Sequence, residues 1–178
     1  VNIVTGHADP CGRVLTSHPL VQRISFTGGT SAARHVVRNS AENFAQVSLE
    51  LGGKSPFIVF DDANIESAVN GSIAGIFGAS GQSCVAGSRL YLHNSIADEF
   101  LDKMLPQAQT IKMGDPLEDA TQMGPLATYA QIEHVERQVA MAKAEGGTIL
   151  TGGDRGDTPD IGWYYPPTII ECPRQTLT

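Results

Sequence analysis

The feature that most limits the possible folds of this chain is a repeated alternation of short apolar runs with helix-like stretches, separated by glycines. The run RISFTGG, residues 23–29, is rich in strand-forming side chains, and residues 30–45 follow it with the apolar spacing of a helix. Two more runs, 46–53 and 55–60, predict strands, and a helix is predicted from about Asp62, which is placed to cap it. This alternation indicates an α/β fold made of βαβ units around a largely parallel sheet.

The remaining segments continue the alternation. The opening run VNIVTG, residues 1–6, predicts a strand, and residues 128–145 have the clearest amphipathic pattern of a helix. Another helix, from about Ser95, contains Pro106, which is expected to kink or shorten it. Further strands are predicted at the apolar runs 88–93, 147–153 and 163–170.

Composition excludes several classes of function. The chain has 178 residues, and 12 Lys and Arg against 19 Asp and Glu give a net charge of −7. Since no basic run interrupts this acidic balance, a nucleic-acid partner is not expected. No apolar stretch approaches the roughly 20 residues that cross a bilayer, so no membrane partner is expected, and the first residues lack the pattern of a signal peptide.

The three cysteines, Cys11, Cys84 and Cys172, are far apart in the sequence. They form no Cys-x-x-Cys or Cys–His spacing of a zinc site, so no metal is expected, and their odd number does not predict a disulfide framework. This usage favours a reducing, cytoplasmic location. Because the chain opens at Val1 in a strand-like run and stops at Thr178 soon after another, we expect a fragment of a longer protein.

Three stretches could carry chemistry, and the first is FTGGT at 26–30. A strand that runs through glycines into a helix N-terminus can hold a pyrophosphate, because free N–H groups and the helix dipole attract the anion. However, the GxGxxG pattern is absent, and strand–glycine–helix turns are mostly structural. This stretch alone therefore leaves both interpretations open.

The second stretch is LELGGKSP, in which Glu50 lies between Leu49 and Leu51 on a predicted strand. A carboxylate there is either the exposed alternate position of a half-buried strand or a desolvated acid. Desolvation raises the pKa of a carboxyl group toward the range that suits a general base for water. The strand pattern by itself favours the exposed position.

The third stretch, GASGQSCVAGSR at 78–89, contains Cys84 in a frame of small residues. Flanking glycines permit close approach of the backbone to a ligand, and amide donors near the sulfur could hold an oxyanion. The alternative is a buried structural thiol, which is the commoner fate of a single cysteine and our interpretation of Cys11 and Cys172. No histidine is paired with Cys84 by any motif.

Taken together, LELGGKSP and FGASGQSCVAGSR resemble the NAD(P)-dependent aldehyde dehydrogenase superfamily, in which an E-L-G-G-K segment supplies a glutamate and a G-Q-x-C segment supplies a nucleophile. Here Cys84 follows Glu50 by 34 positions, which is the family's separation. Six further segments resemble the family's own in the same order: VNIVTG, ISFTGGT, PFIVFDDAN, IKMGDPL, MGPL and GWYYPPTII. The resemblance therefore covers essentially the whole chain.

The resemblance implies an α/β, aldehyde dehydrogenase-like fold. Residues 1–51 would be the C-terminal part of a Rossmann-like NAD(P)-binding domain, and residues 52–178 the N-terminal part of the α/β catalytic domain. It further implies an NAD or NADP cofactor and an aldehyde substrate, and a parent protein that is a homodimer or homotetramer.

The resemblance also assigns roles to single residues. Cys84 resembles the nucleophile that attacks the aldehyde, with its backbone N–H as half of an oxyanion hole, and Glu50 resembles the base that activates water to hydrolyse the thioester. Cofactor contacts are implied for Thr27, Gly28 and Gly29 at the nucleotide turn, and for Leu51 beside the nicotinamide.

Two departures from the family pattern concern the cofactor. Gly29 stands where serine is common in the family, and Ala33 replaces the final glycine of the turn. The resemblance implies that the serine hydroxyl's contact with a phosphate is lost, which affects cofactor affinity and the choice between NAD and NADP. The family's upstream segments, with the asparagine of the oxyanion hole, and its downstream E-E-x-F-G-P segment are not in these 178 residues. We therefore expect the chain by itself to lack dehydrogenase activity. The alternatives are a cofactor-independent cysteine hydrolase or acyltransferase, and a family member without catalytic function.

Overall fold

The computed structural model describes residues 1–156 and 158–173. The chain divides into two compact units, Val1–Gly53 and Lys54–Thr178, and each combines helices with strands. The mixed α/β class expected from the sequence is confirmed. Asp157 and residues 174–178, which belong to the predicted second domain, lie outside the described residues.

The first unit is built around one βαβ element. Strand β1 (Arg23–Gly28) pairs in parallel with β2 (Gln46–Leu51), and helix α2 (Thr30–Ser40) connects them. A short helix, α1 (Arg13–Ser17), precedes β1 and packs against α2. Because parallel strands run in one direction, the C-terminal ends of β1 and β2 lie at the same edge.

The second unit begins with another parallel pair. Strand β3 (Pro56–Val59) pairs with β4 (Arg89–Leu92), and helix α3 (Ile65–Phe77) lies between them in the chain. Helix α4 (Ala97–Gln109) follows β4 and packs on α3. The side chains buried where these elements meet form a core of five residues: Val59, Val69, Ile96, Phe100 and Met104.

The rest of the second unit is a helix packed on an antiparallel pair. Helix α5 (Tyr129–Ala144) precedes β5 (Thr148–Thr151), which pairs with β6 (Ile169–Glu171). A second cluster of buried side chains lies here: Leu126, Ile132, Val139 and Tyr165. Leu126 thereby ties the loop before α5 to a packed core.

Several sequence predictions about single elements are wrong. No strand among the described residues pairs with the run 1–6, and without a partner for its backbone groups it does not become a strand. Helix α3 is capped by Asn64, whose Oδ1 accepts a 2.9 Å hydrogen bond from the Ser67 N–H, and not by Asp62. The expected largely parallel sheet is instead three separate pairs in the described residues, the last antiparallel.

One helix end also differs from the expectation, and another helix continues past its proline. Helix α2 stops at Ser40 and not near residue 45, because Phe44 has a φ of +54° that no helix accepts. The side chain of Asn43 holds this turn by donating a 2.8 Å hydrogen bond to the His18 carbonyl oxygen. Helix α4 contains Pro106 and continues to Gln109, so the proline does not end it.

Candidate functional site

The edge where β1 and β2 end collects five of the six predicted site residues. Thr27 is the register partner of Glu50, and Gly28 is the register partner of Leu51. Gly29 follows directly as the N-cap of α2, with φ −77° and ψ 152°. The first N–H groups of α2 therefore lie just beyond the two strand ends, where no earlier turn of helix can accept from them.

The two glycines at this edge differ in how much space surrounds the position that a Cβ would take. A Cβ on Gly28 would lie 2.7 Å from Cζ of the Phe26 ring, so a side chain there requires the ring to move. A Cβ on Gly29 would meet no heavy atom within 4 Å. The space at Gly29, at the start of a helix, is therefore open to a ligand or to a larger residue.

Glu50 is exposed, and Leu51 beside it is half-buried. Of the two interpretations of the strand pattern, the structure thus has the exposed carboxylate. Its register partner Thr27 is exposed as well, so two exposed polar residues lie side by side next to the glycine turn.

Cys84 lies in a turn of the second unit between α3 and β4. The Ala86 N–H donates a 3.2 Å hydrogen bond to the Ser83 carbonyl oxygen, which places Cys84 and Val85 at the centre of the turn. Cys84 is exposed and its thiol is free. Within the described residues, neither the N–H nor the sulfur of Cys84 makes a hydrogen bond. Cys84 is therefore accessible, and it is not the buried structural thiol of the alternative interpretation.

The backbone just before this turn has an unusual conformation. Ala79 and Ser80 have φ values of +49° and +54°, and Gly81 continues with +73°. Left-handed conformations cost energy for residues with a Cβ, and such strain concentrates at functional sites. Three consecutive left-handed residues set the direction in which the chain leaves α3 and enters the cysteine turn.

Two side chains hold this strained stretch against the loop 124–127. Gln82 Oε1 accepts a 3.0 Å hydrogen bond from the Ala127 N–H, and Ser80 Oγ donates a 2.8 Å hydrogen bond to the Gly124 carbonyl oxygen. Neither contact was predicted, because their partners lie 45 and 44 positions away. The only sequence signal was the concentration of hydrogen-bonding side chains directly before Cys84.

An open cleft of about 720 Å³ lies beside these two bonds, lined by residues that include Ser80, Gln82, Leu126 and Trp163. Cys84 does not line it. The cleft therefore adjoins the residues that hold the cysteine turn and not the thiol itself.

Within the second unit, neither His93 nor His134 forms a hydrogen bond with Cys84; the ring of His93 bonds to Ser95 instead, at 2.8 Å. A cysteine hydrolase needs a base beside its thiol, so this arrangement does not favour that alternative. Over the described range, no group of three His, Cys, Asp or Glu side chains is placed to ligate a metal. Among the described helices, none has the length and hydropathy required to cross a bilayer.

The model of the aldehyde dehydrogenase family matches residues 1–177. The chain belongs to this family. The resemblance carried by LELGGKSP and GQSC is thereby confirmed at the level of the family.

Individual relatives agree with this placement. The chain is 54% identical to (Z)-2-((N-methylformamido)methylene)-5-hydroxybutyrolactone dehydrogenase of Acinetobacter baylyi over 97% of its own length and 35% of that protein. Among solved structures, PnpE in complex with nicotinamide adenine dinucleotide has a TM-score of 0.89 and 42% identity, covering 93% of this chain and 34% of that one. The structure of 3,6-anhydro-L-galactose dehydrogenase in complex with NAP (NADP) has a TM-score of 0.92 and 38% identity, covering 98% and 37%. The chain thus spans about a third of the length of the curated relatives it matches.

Proposed function

We propose that this chain is the central part of an aldehyde dehydrogenase that oxidises an aldehyde to its carboxylic acid with NAD or NADP. The observation that carries the proposal is the family match over residues 1–177. The exposed, free thiol of Cys84, in a GQSC motif that resembles the segment of the family's nucleophile, supports it. The NAD and NADP found in related structures support a nicotinamide dinucleotide of either kind.

The residues at the end of β1 fit such a cofactor. A pyrophosphate needs backbone N–H donors and room for close approach. The N-terminus of α2 offers the donors, and Gly29 offers the room, since nothing lies within 4 Å of where its Cβ would be. We assign the phosphate-side contacts to Thr27, Gly28 and Gly29, and we place Leu51 beside the nicotinamide.

The proposed chemistry uses two residues of this chain. The Cys84 thiolate adds to the aldehyde carbon to form a thiohemiacetal, while the Cys84 N–H, which has no partner among the described residues, donates to the oxyanion. A bound nicotinamide dinucleotide would supply the hydride acceptor that converts this thiohemiacetal into a thioester of Cys84. Glu50 then takes a proton from water as the water attacks the thioester. The carboxylic acid leaves, and the thiolate of Cys84 is restored.

The other parts of the proposal concern the whole protein. Residues 1–51 form part of the NAD(P)-binding domain and residues 52–178 part of the catalytic domain. Three free cysteines, Cys11, Cys84 and Cys172, support a reducing, cytoplasmic location, and the family resemblance supports a homodimer or homotetramer.

The test uses the complete protein, expressed from the coding sequence that flanks this segment, with a panel of aldehydes and both NAD⁺ and NADP⁺. Cys84→Ala is expected to lower turnover by at least about a thousandfold because the nucleophile is gone. Cys172→Ala, which removes another exposed thiol, is the matched control and is expected to leave turnover unchanged. Turnover retained in Cys84→Ala would overturn the proposal. Normal NAD-dependent turnover by residues 1–178 alone would overturn the expectation that this segment by itself lacks activity.

A further inference from the structure

We infer that Gln82 and Ser80 are positioning residues for the Cys84 thiol, acting through the two hydrogen bonds that join them to the loop 124–127. We call these two bonds the anchor pair. In one, the Ala127 N–H donates to Gln82 Oε1, and in the other, Ser80 Oγ donates to the Gly124 carbonyl oxygen. The inference rests on the proposed function of Cys84 as the nucleophile.

The cysteine turn is joined to the rest of the unit at its two ends, while at its centre the Val85 N–H bonds only within the turn, to Ser83 Oγ at 3.4 Å. At the C-terminal end, Ala86 is buried and the Gly87 N–H donates a 3.2 Å hydrogen bond to the Gly75 carbonyl oxygen of α3. At the centre, Cys84 has no hydrogen bond among the described residues. The position of the sulfur therefore depends on how firmly the residues before Cys84 are fixed.

The residues before Cys84 need such a restraint. Ala79 and Ser80 are held in left-handed conformations that residues with a Cβ disfavour. A strained backbone persists only where surrounding contacts determine it. The anchor pair supplies contacts of this kind, together with the local hydrogen bonds that the N–H and Nε2 of Gln82 donate to the Ala79 carbonyl oxygen at 3.1 and 3.4 Å.

The loop on the other side of the anchor pair is itself fixed. Leu126 is buried in the cluster with Ile132 and Val139, and its N–H donates a 2.8 Å hydrogen bond to the Trp163 carbonyl oxygen. A continuous path of contacts therefore runs from this core through Leu126 and Ala127 to Gln82 and the turn. A nucleophile must stay within a narrow geometry to attack a bound carbonyl, and a displacement of about 1 Å can cost about a hundredfold in rate.

The test compares four variants of the complete enzyme. Gln82→Met keeps the side-chain length and removes both amide functions, and Gln82→Glu keeps an oxygen that accepts from the Ala127 N–H. Ser80→Ala removes the other anchor bond. Gln122→Met is the matched control, because Gln122 Oε1 accepts a 2.9 Å hydrogen bond from the Lys112 N–H at another exposed position, and within the described residues Gln122 makes no hydrogen bond to residues 79–84.

Two rates are measured for each variant: kcat/KM for the aldehyde, and the rate at which iodoacetamide alkylates Cys84, followed by mass spectrometry of its peptide. We expect Gln82→Met and Ser80→Ala to lower kcat/KM by about tenfold or more, with alkylation within about threefold of wild type, because positioning matters for a bound carbonyl and not for a diffusing reagent. Gln82→Glu is expected to recover kcat/KM to within about threefold of wild type, and Gln122→Met to leave it unchanged.

The outcomes separate this inference from the function it rests on. If Gln82→Met and Ser80→Ala keep kcat/KM within twofold of wild type while Cys84→Ala is inactive, the positioning role is wrong and the nucleophile stands. If Cys84→Ala remains active, the proposed function is wrong whatever the other variants do. If Gln82→Met fails to fold, Ser80→Ala decides by the same criterion. Equal losses in the Gln122→Met control would also overturn the positioning role.

Discussion

Thr27 and Glu50 lie side by side on neighbouring parallel strands, in direct register at the edge where both strands end. The glycine turn and the first residues of α2 follow Thr27 without a gap. A residue proposed to contact the cofactor and a residue proposed to act as the base are thus placed together by one strand pair. Changes at Gly29 therefore test the cofactor part of the proposal without altering the strands.

Gly29→Ser is expected to strengthen cofactor binding. The backbone of Gly29 has dihedral angles that serine adopts readily, and nothing lies within 4 Å of its Cβ position. One added hydrogen bond from the serine hydroxyl to a phosphate is expected to lower Kd by up to about tenfold, measured by calorimetry on the complete enzyme with NAD⁺ and NADP⁺.

Gly29→Ala is the control for this change, because it adds the Cβ without the hydroxyl. Equal Kd values for the serine and alanine variants would contradict a phosphate at this turn. The serine is also expected to add a few tenths of a kcal/mol to helix stability as an N-cap, which calorimetric melting of both variants would detect.

Ala79→Gly is expected to stabilise the second unit. Ala79 has a φ of +49°, which glycine adopts without a steric penalty, so the change is expected to raise the free energy of unfolding by about 1 kcal/mol. Ala74→Gly, in the helical conformation of α3, is the matched control and is expected to lower it by about 1 kcal/mol. Denaturant unfolding of the complete protein measures both, and destabilisation of equal size in the two variants would contradict the strain at Ala79.

Tyr165 is expected to make stability depend on alkaline pH. Burial, with smaller contributions from Glu136 and Asp154, raises the pKa of its phenol above the usual 10.0. Below about pH 10 the phenol is protonated in both states, and above it the unfolded chain loses the proton first. Stability is therefore lost as the pH rises through the raised pKa of the folded state.

Tyr165→Phe removes this titration. The free energy of unfolding of the variant, measured between pH 8 and 11, is expected to fall less steeply than that of wild type at the alkaline end. If the free energy of unfolding changes with pH by the same amount in the two proteins, folding does not raise the pKa of the Tyr165 phenol.

The strands β1 and β2 could be predicted because each is a β-branched or apolar run that stops at glycine. The run 1–6, VNIVTG, is also rich in β-branched residues and stops at glycine, yet it forms no strand, since pairing depends on a neighbour that composition does not reveal. The cap of α3 could not be chosen from sequence because Asp62 and Asn64 are equally good caps, and only the helix start decides between them.

The residues of the candidate site also fall into those that could be predicted from the sequence and those that could not. Glu50 and Cys84 could be singled out from their motifs, and the glycine turn from its strand–helix context. The left-handed Ala79 could not, because alanine disfavours that conformation and only the surrounding contacts impose it. The bond between Gln82 and Ala127 could not either, because it joins residues 45 positions apart through a loop whose course depends on the packing of Leu126.

The proposed mechanism requires that Cys84 carries an acyl group when Glu50 cannot activate water. The complete Glu50→Gln enzyme is mixed with a dinucleotide and the aldehyde that wild type turns over fastest, and Glu42→Gln, an exposed glutamate of the same unit, serves as the control. We expect a burst of one NADH or NADPH per site, slow turnover afterwards, and a mass increase on the Cys84 peptide equal to the acyl group of a thioester. A Glu50→Gln enzyme that turns over like the control, or a burst that leaves Cys84 unmodified, would contradict this mechanism.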